Sequence, residues 1–258
     1  MFLKAKKSYG QHFLTNETIA ANIADSLICI EKYTKILEVG PGRGMLTKYL
    51  LQKEHQLFAV EADKDMVLFL QKYFPELKGR LLQLDFLKLN PEHIFQNDPF
   101  ALIGNFPYNI SSQILFWMLD YKHQIPELVG MFQKEVAERI IAKPGNKIYG
   151  VISVLIQAYY DGVYLFDVDK SNFNPPPKVQ SGVIRLVRRE NQNLGCDESL
   201  FRRVVKTAFS QRRKMLRNTM KSFVKGDEML QEAFFQQRPE QLSVRDYIDL
   251  TNRIASRI

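Results

Sequence analysis

The chain has 258 residues, 45% of them hydrophobic and 25% charged, with a formal net charge of +8. This composition is typical of a soluble globular protein with one large or two modest cores, and the excess of cations favours a polyanionic partner. No apolar run approaches the ~20 residues that span a bilayer, and the N-terminus lacks the apolar core of a signal peptide, so we expect a cytoplasmic protein.

The residues that carry disulfide and metal chemistry are few and scattered. Cys29 and Cys196 lie far apart without a Cys-x-x-Cys spacing, and the four histidines form no ligand pair at helical spacing. We therefore expect neither a disulfide framework nor a metal site. We also expect a monomer without membrane contact.

Residues 1–14 form a polar and aromatic lead-in that we interpret as neither a strand nor an amphipathic helix. A helix is predicted after it, with Thr15 or Asn16 as the N-cap. From Thr34 onward, short apolar strands alternate with helical segments, which is the pattern of a mostly parallel sheet covered on both faces.

The predicted strands are Lys35–Val39, Gln56–Glu61, Arg80–Leu84, Phe100–Asn105, Leu128–Phe132, Val163–Val168 and Gly182–Val187. The predicted helices are Leu46–Lys53, Asp65–Tyr73, Ser112–Leu119, Lys134–Ala142 and about Ile148–Tyr159. For the last helix a buried strand is the alternative, because residues 151–156 are apolar on all sides.

The composition changes after Arg189, where the polar stretch 190–197 has the character of a linker. Apolar residues then recur at helical spacing with a break near Ser210–Arg213. Ser243 followed by Asp246 has the form of a capping box and opens a last helix. We predict two domains: an α/β domain at residues 1–189, including the lead-in, and a small all-helical domain at residues 190–258.

A glycine-rich turn follows the first predicted strand, with Gly40, Gly42 and Gly44 at G-x-G-x-G spacing. This spacing differs from the dinucleotide pattern, and no Gly-Lys-Ser/Thr follows, so it favours a cofactor without a pyrophosphate. Glu61 ends the second strand, where a carboxylate can accept both hydroxyls of a ribose, and Asp85 ends the third, where it could meet an adenine amine. Singly, such acids are more often solvated turn residues or helix caps. Three features at successive strand ends favour an adenosyl cofactor.

The turn after the strand at Phe100–Asn105 carries a second set of candidate residues. Asn105 offers an amide oxygen, Phe106 a main-chain carbonyl and Tyr108 a ring. Such strand-to-helix turns are where open α/β sheets bind ligands, and this set suits a planar base with an exocyclic amine. The alternative is an ordinary turn in which a serine caps the next helix.

Motifs of higher specificity run through the whole chain. They occupy residues 6–14 (KKSYGQHFL), 38–44 (EVGPGRG), 105–112 (NFPYNISS), 173–181 (FNPPPKVQS), 209–218 (FSQRRKMLRN) and 238–243 (RPEQLS). In this order and spacing the chain resembles the small-subunit ribosomal RNA adenine N6,N6-dimethyltransferase family. The resemblance implies a Rossmann-like S-adenosylmethionine domain with a helical C-terminal domain, and transfer of two methyl groups to each of two adjacent adenines near the 3′ end of small-subunit (16S) rRNA during ribosome assembly.

The resemblance also assigns roles by position. It implies cofactor contacts for His12, Leu14, Gly40, Glu61, Asp85 and Asn105. Departures from the family pattern are His12, where Asn is usual, Phe106, where Leu is usual, and Phe86 after Asp85, where a small residue is common.

Catalysis at such a site is expected to depend on alignment. The N6 lone pair of adenine is delocalised into the ring, so acceptors from Asn105 and Phe106 on its hydrogens would favour a pyramidal nitrogen, and the sulfonium is already a good leaving group. Tyr108 and Phe173 are predicted to sandwich the extruded base. Taken alone, Phe173 is more simply explained as a core residue.

Residues 202–225 carry nine cations and no acid, which exceeds what solubility needs. We predict contact with RNA phosphates, with a solvated helix face as the alternative. The residues that we predict to bind RNA are Arg212, Arg213, Lys214 and Arg217. Cations that would extend this surface are Lys4, Lys6, Lys7, Lys178, Arg185, Arg188 and Arg189.

Two rival functions stay open at this stage. One is a large-subunit rRNA adenine methyltransferase of the antibiotic-resistance type, against which the 40–44 sequence and the long helical C-terminus argue. The other is a non-catalytic RNA-binding assembly factor on the same fold. Retention of Asn105, Tyr108, Glu61 and Asp85 argues against it.

Overall fold

A computed structural model of the chain describes residues 5–6, 9–224 and 228–257. Within these residues the chain forms two compact units, the first from Met1–Ala137 and Gly162–Arg188, the second from Glu138–Asp161 and Arg189–Ile258. The predicted domain boundary lies after residue 189. In the structure the chain passes from the first unit to the second for the last time one residue earlier, after Arg188. The prediction missed that Glu138–Asp161 belongs to the second unit.

The strands are β1 (Phe13–Leu14), β2 (Lys35–Val39), β3 (Gln56–Glu61), β4 (Leu81–Gln83), β5 (Phe100–Asn105), β6 (Glu127–Gln133), β7 (Tyr160–Val168), β8 (Phe173–Asn174) and β9 (Ser181–Arg188). Seven of these described strands form one sheet in the order β4-β3-β2-β5-β6-β9-β7. Neighbours from β4 to β6 are parallel, and β9 runs antiparallel to β6. Because the chain leaves β2 first towards β3 and later returns to β5, a crevice is expected at the carboxyl ends of these two strands.

The helices are α1 (Glu17–Asp25), α2 (Thr47–Leu50), α3 (Lys64–Tyr73), α4 (Glu92–Phe95), α5 (Ser111–Asp120), α6 (Lys134–Ile141), α7 (Val151–Gln157), α8 (Glu198–Phe209), α9 (Leu216–Thr219), α10 (Glu228–Gln231) and α11 (Val244–Ala255). Asn16 caps α1, as one of the two predicted candidates, by accepting a hydrogen bond from the Ile19 N–H at 3.2 Å. Within the described residues, no helix has both the length and the apolar character needed to cross a bilayer.

The lead-in contains a strand that the sequence analysis did not predict. β1 pairs antiparallel with β8, so that Phe13 lies opposite Asn174 and Leu14 opposite Phe173. Two residues are too few for a period-2 pattern, and the pairing partner is about 160 residues away in sequence. The expectation that residues 1–14 hold no strand is therefore wrong.

The second unit is helical apart from the start of β7. The apolar stretch 151–156 is helical, so the strand alternative is wrong, and α7 packs with α8 and α11. α8 ends at Phe209, where the predicted break begins. The predicted capping box is confirmed: Ser243 Oγ accepts from the Asp246 N–H at 3.2 Å, and Asp246 Oδ2 accepts from the Ser243 N–H at 2.8 Å.

Candidate active site

A cavity of about 460 Å³ lies at the carboxyl ends of β2, β3 and β5, in the first unit. This volume is in the range of pockets that hold small-molecule cofactors. Most of its wall comes from five segments, 9–14, 38–43, 60–62, 84–86 and 105–110. All six predicted cofactor residues line it: His12, Leu14, Gly40, Glu61, Asp85 and Asn105. The structure thus brings these residues together, and their individual contacts stay predictions.

Two features of the turn after β2 favour glycine, the backbone conformation and the close approach of Phe13. Gly40 and Gly42 have φ of +68° and +54°, in the left-handed region that other residues rarely adopt. A Cβ on Gly42 would also lie 3.1 Å from the ring of Phe13, which comes from the lead-in. The turn therefore allows close approach of the lead-in on one side and of a ligand on the other.

Glu61 is held by the backbone at the end of β3. Its Oε2 accepts from the Gly42 N–H at 3.1 Å and its Oε1 from the Asp63 N–H at 2.9 Å. Burial raises the pKa of Glu61, against these two hydrogen bonds, and the side chain is only 7% exposed. A carboxylate has about four lone-pair positions, so both oxygens retain acceptor capacity towards the cavity.

Glu38 is a second buried acid of the cavity wall, and the sequence analysis gave it no role. It is 1% exposed, and the Thr47 hydroxyl donates to its Oε2 at 2.7 Å. Burial raises the pKa of Glu38 to about 8, against the Thr47 hydrogen bond. The sequence signal that could have identified Glu38 was an acidic residue inside an otherwise apolar strand.

A buried aspartate fastens the lead-in to the sheet. Asp63 is fully buried, and its carboxylate accepts from Lys6 Nζ at 2.6 Å and from Gln11 Nε2 at 2.9 Å. Burial opposes ionisation, but these hydrogen bonds hold the pKa of Asp63 below its ordinary value. Because Asp63 also donates its N–H to Glu61, the lead-in and the predicted ribose-binding acid share one anchor.

Asp85 has the capping role that was one of the two weighed for it. Its Oδ1 accepts from the Leu87 N–H at 3.0 Å, which is a capping contact for the 3-10 turn Phe86–Lys88. The residue is also exposed and lines the cavity. Its contact with an adenine amine stays a prediction.

The turn after β5 presents the Asn105 amide in one orientation. Asn105 Nδ2 donates to the His12 carbonyl at 3.0 Å, and because a carbonyl only accepts, the amide oxygen remains as an acceptor. Phe106 anchors the turn: its ring is 1% exposed and packs where a Cβ on Gly130 would lie, 2.2 Å away. The alternative of a serine-capped helix is not what the structure has, because α5 begins after Ile110 without a side-chain cap.

Tyr108 lines the cavity, and its ring is supported on two sides. Its hydroxyl lies 2.6 Å from the Ser181 hydroxyl, and its ring stacks on that of His12 with centroids 5.6 Å apart and an angle of 27°. Sequence analysis assigned no role to Ser181. The only signal was its place at the end of the 173–181 motif.

Phe173 is packed in the core of the first unit. It is 4% exposed, belongs to the core cluster and pairs with Leu14, and it is not part of the cavity wall. This burial agrees with the core interpretation, and the stacking of Phe173 on a target base stays a prediction. The β1–β8 pairing places Phe173 opposite Leu14, another residue of the core cluster.

The cations predicted to bind RNA lie in the second unit, between α8 and α9 and at the start of α9. Arg213, Lys214 and Arg217 are exposed, and Arg212 is half-buried and donates to the Asn146 carbonyl at 3.4 Å. Their contact with RNA stays a prediction. Lys225, the last cation of the run, lies outside the described residues.

Four of the cations predicted to extend this surface make contacts within the protein, namely Lys6, Arg185, Arg188 and Arg189. Lys6 pairs with Asp63, and Arg189 pairs with Asp161 at 2.8 Å. Arg185 and Arg188 donate to backbone carbonyls, at 3.2 Å to Ser26 and at 2.6 Å to Lys122. The prediction that these four cations extend an RNA surface is therefore weakened. Lys178 is exposed, and Lys4 and Lys7 lie outside the described residues.

Sequence comparison identifies relatives along nearly the whole chain. The family described as "Ribosomal RNA adenine dimethylase" matches residues 2–256. A protein of Flavobacterium johnsoniae named ribosomal RNA small subunit methyltransferase A is 53% identical over 252 residues, covering 98% of this chain and 96% of its own. One of the same name from Cytophaga hutchinsonii is 51% identical over 256 residues, covering 99% of both chains.

Solved structures share the architecture. A dimethyladenosine transferase from Plasmodium falciparum has a TM-score of 0.78 at 24% identity, covering 95% of this chain and 98% of its own. The 23S rRNA methyltransferase ErmE has a TM-score of 0.65 at 24% identity, covering 93% of this chain and 99% of its own. At this identity the likeness concerns the fold, and it confirms the predicted Rossmann-like methyltransferase class.

Proposed function

The chain belongs to the ribosomal RNA adenine dimethylase family, and on that premise we propose that it transfers methyl groups from S-adenosylmethionine to N6 of two adjacent adenines near the 3′ end of small-subunit rRNA. The product is N6-dimethyladenosine, made during ribosome assembly. One observation carries the proposal most directly: the Asn105 amide, oriented by His12, lies in the same cavity wall as Tyr108 and Glu61. Relatives named for the small subunit, at 53% and 51% identity, support that choice of substrate.

The cavity fits an adenosyl cofactor in size and in donor set. Glu61 is a buried carboxylate with free acceptor capacity, which suits the two hydroxyls of a ribose. Asp85 lies where an adenine amine would be recognised, and the left-handed Gly40 lets the backbone approach the ligand. His12 and Leu14 close the side formed by the lead-in. When bound, S-adenosylmethionine supplies a methyl group on a sulfonium, which needs no further activation.

The residues of the β5 turn then act on the target base. Asn105 Oδ1 and the Phe106 carbonyl accept hydrogen bonds from N6, which disfavours delocalisation of its lone pair into the ring. Tyr108 holds the base by stacking, an interaction worth about 1–3 kcal/mol per base. Because no strong base is required, the catalytic contribution is mainly the alignment of nitrogen, methyl and sulfur.

The second unit supplies contact with the polyanion. Arg213, Lys214 and Arg217 are exposed cations that suit phosphate oxygens, with Arg212 beside them. Such contacts give affinity without reading sequence, so the choice of adenine must come from the cavity.

The test uses labelled S-adenosylmethionine with separate, unmethylated small and large ribosomal subunits, followed by mapping of the product nucleosides. We expect N6-dimethyladenosine at two adjacent positions near the 3′ end of small-subunit rRNA. Label in large-subunit rRNA alone would favour the antibiotic-resistance type of enzyme. Subunit binding without any transfer would favour a non-catalytic assembly factor.

A further inference from the structure

We propose that Ser181 is a positioning residue that holds the Tyr108 ring at one fixed angle for the target adenine. The inference rests on the proposed function, in which Tyr108 stacks on the base. It starts from a hydrogen bond of 2.6 Å between the two hydroxyls. Tyr108 is half-buried at the cavity wall, whereas Ser181 is fully buried.

Ser181 offers a rigid anchor because the sheet holds its backbone. It is the first residue of β9 and lies opposite Gln133 at the end of β6. The preceding Gln180 carbonyl accepts from the Lys134 N–H at 2.9 Å. A buried hydroxyl is unfavourable without a hydrogen-bond partner, so each of the two hydroxyls stabilises the other's position.

The contact also spans an unusual distance for a turn residue. Tyr108 follows β5, Ser181 begins β9, and β6 lies between these strands in the sheet. Adjacent strands are about 4.8 Å apart, so β5 and β9 are separated by roughly 10 Å, which the turn after β5 and the tyrosine side chain bridge together. The turn that carries Asn105 is thereby tied to a strand two places away, which an ordinary connecting turn would not require.

The ring is constrained on one face as well as at its tip. His12 stacks on it, and His12 Nδ1 lies 2.8 Å from the Pro175 carbonyl, which can only accept and so assigns the hydrogen to Nδ1. His12 stacks on one face of the Tyr108 ring, so the proposal assigns the target base to the other face. Phe173 cannot take the place of either support, since its ring is in the core.

This arrangement changes the expected effect of Tyr108→Phe. If stacking alone mattered, removal of the hydroxyl would be mild. If the hydroxyl fixes the ring angle, Tyr108→Phe lets the ring and the stacked base rotate, and N6 then spends less time in line with the methyl group. Misalignment at a reacting centre lowers the rate of the chemical step and has little effect on cofactor affinity.

The experiment is a double-mutant cycle with Tyr108→Phe, Ser181→Ala and the double variant. We expect each single variant to lower the single-turnover methylation rate at saturating subunit and cofactor by about 10-fold, and the double variant to be no slower than either single. That equality follows because both changes remove the same bond. Ser112→Ala, on an exposed serine of α5, is the matched control. Parental rates in Tyr108→Phe, or additive losses of about 100-fold in the double variant, would overturn the proposal.

A second readout works without catalysis and separates this inference from the proposed function. The 11 tyrosines can be replaced by 3-fluorotyrosine, and the Tyr108 resonance identified by its loss in Tyr108→Phe. We expect Ser181→Ala to broaden or average the fluorine signal of Tyr108 while S-adenosylmethionine affinity, measured by calorimetry, stays at the parental value. An unchanged signal would show that Ser181 does not hold the ring, whether or not the protein methylates subunits. A parental protein that transfers no methyl group would instead refute the proposed function.

Discussion

The cavity wall of the first unit and the cation-rich stretch of the second unit use charge in opposite ways. In the cavity wall Glu38 and Glu61 are 1% and 7% exposed, and each has a specific donor. Between α8 and α9, Arg213 and Lys214 are exposed, as is Arg217 in α9. A small ligand is recognised by protein groups held in a fixed geometry, whereas a polyphosphate is bound by a high density of positive charge. The two regions should therefore respond to mutation in different observables.

Asn105→Ala should have the largest effect, because it removes an acceptor for N6 at the reacting centre. Loss of about 3 kcal/mol of transition-state stabilisation corresponds to a fall in turnover of roughly 100-fold. The loss is measured as the single-turnover methylation rate at saturating cofactor and subunit. The affinity for the subunit should stay at the parental value. Gln113→Ala, an exposed polar residue of α5, is the control. Near-parental rates for Asn105→Ala would mean that the turn has no part in the chemistry.

Glu61→Ala should weaken S-adenosylmethionine binding far more than RNA binding. A charge-assisted hydrogen bond to the ribose is worth roughly 1.5–3 kcal/mol, so the affinity should fall by at least about 10-fold. Calorimetry on the folded variant checks it, with Glu54→Ala as an exposed acid of the same charge. Glu61→Gln keeps the size of the side chain and tests whether the loss is electrostatic. Unchanged cofactor affinity in Glu61→Ala would exclude this placement of the ribose.

Joint neutralisation of Arg212, Arg213, Lys214 and Arg217 should change binding to the ribosomal subunit and leave cofactor binding unchanged. Each lost phosphate contact removes about one released counterion, so subunit affinity should fall and its salt dependence should flatten, while cofactor affinity stays constant.

A matched variant neutralises four exposed lysines of the first unit. These are Lys64, Lys72, Lys78 and Lys88. It changes the net charge by the same amount, so the two slopes of log K against log salt can be compared directly. Equal slopes would mean that the cations near α9 are only a solvated face.

Glu38→Gln should have the smallest effect on turnover and cofactor affinity, and its consequence should appear in the pH dependence of stability. The folded-state pKa of about 8 lies above the ordinary value of 4.5, so the folded chain binds the proton more tightly than the unfolded chain. That stabilisation is fully present below about pH 4.5 and is lost as pH rises towards 8, by roughly 1.4 kcal/mol per pH unit. Denaturant titrations at pH 5.5 and 8 should therefore show the parent losing stability relative to Glu38→Gln. A constant difference would mean that Glu38 is ionised in the fold.

Features that depend on neighbours along the chain were determined by the sequence itself. Alternating strands and helices gave the α/β class, and the bounds of β2, β3 and β5 are those predicted. Glycines and acids after apolar strands located the cavity, because parallel strands bring their carboxyl ends to one edge. The Ser243 capping box is similarly local, since both partners lie within four residues.

Only the tertiary structure decided the features that join distant parts of the chain. The pairing of β1 with β8 buried Phe173, and Asp63 received Lys6 and Gln11 from the lead-in. Ser181 meets Tyr108 across 73 positions of sequence. No periodicity or short motif encodes such contacts. Their geometry depends on which strands are neighbours in the folded sheet, so the supports of the site became visible only when the sheet was assembled.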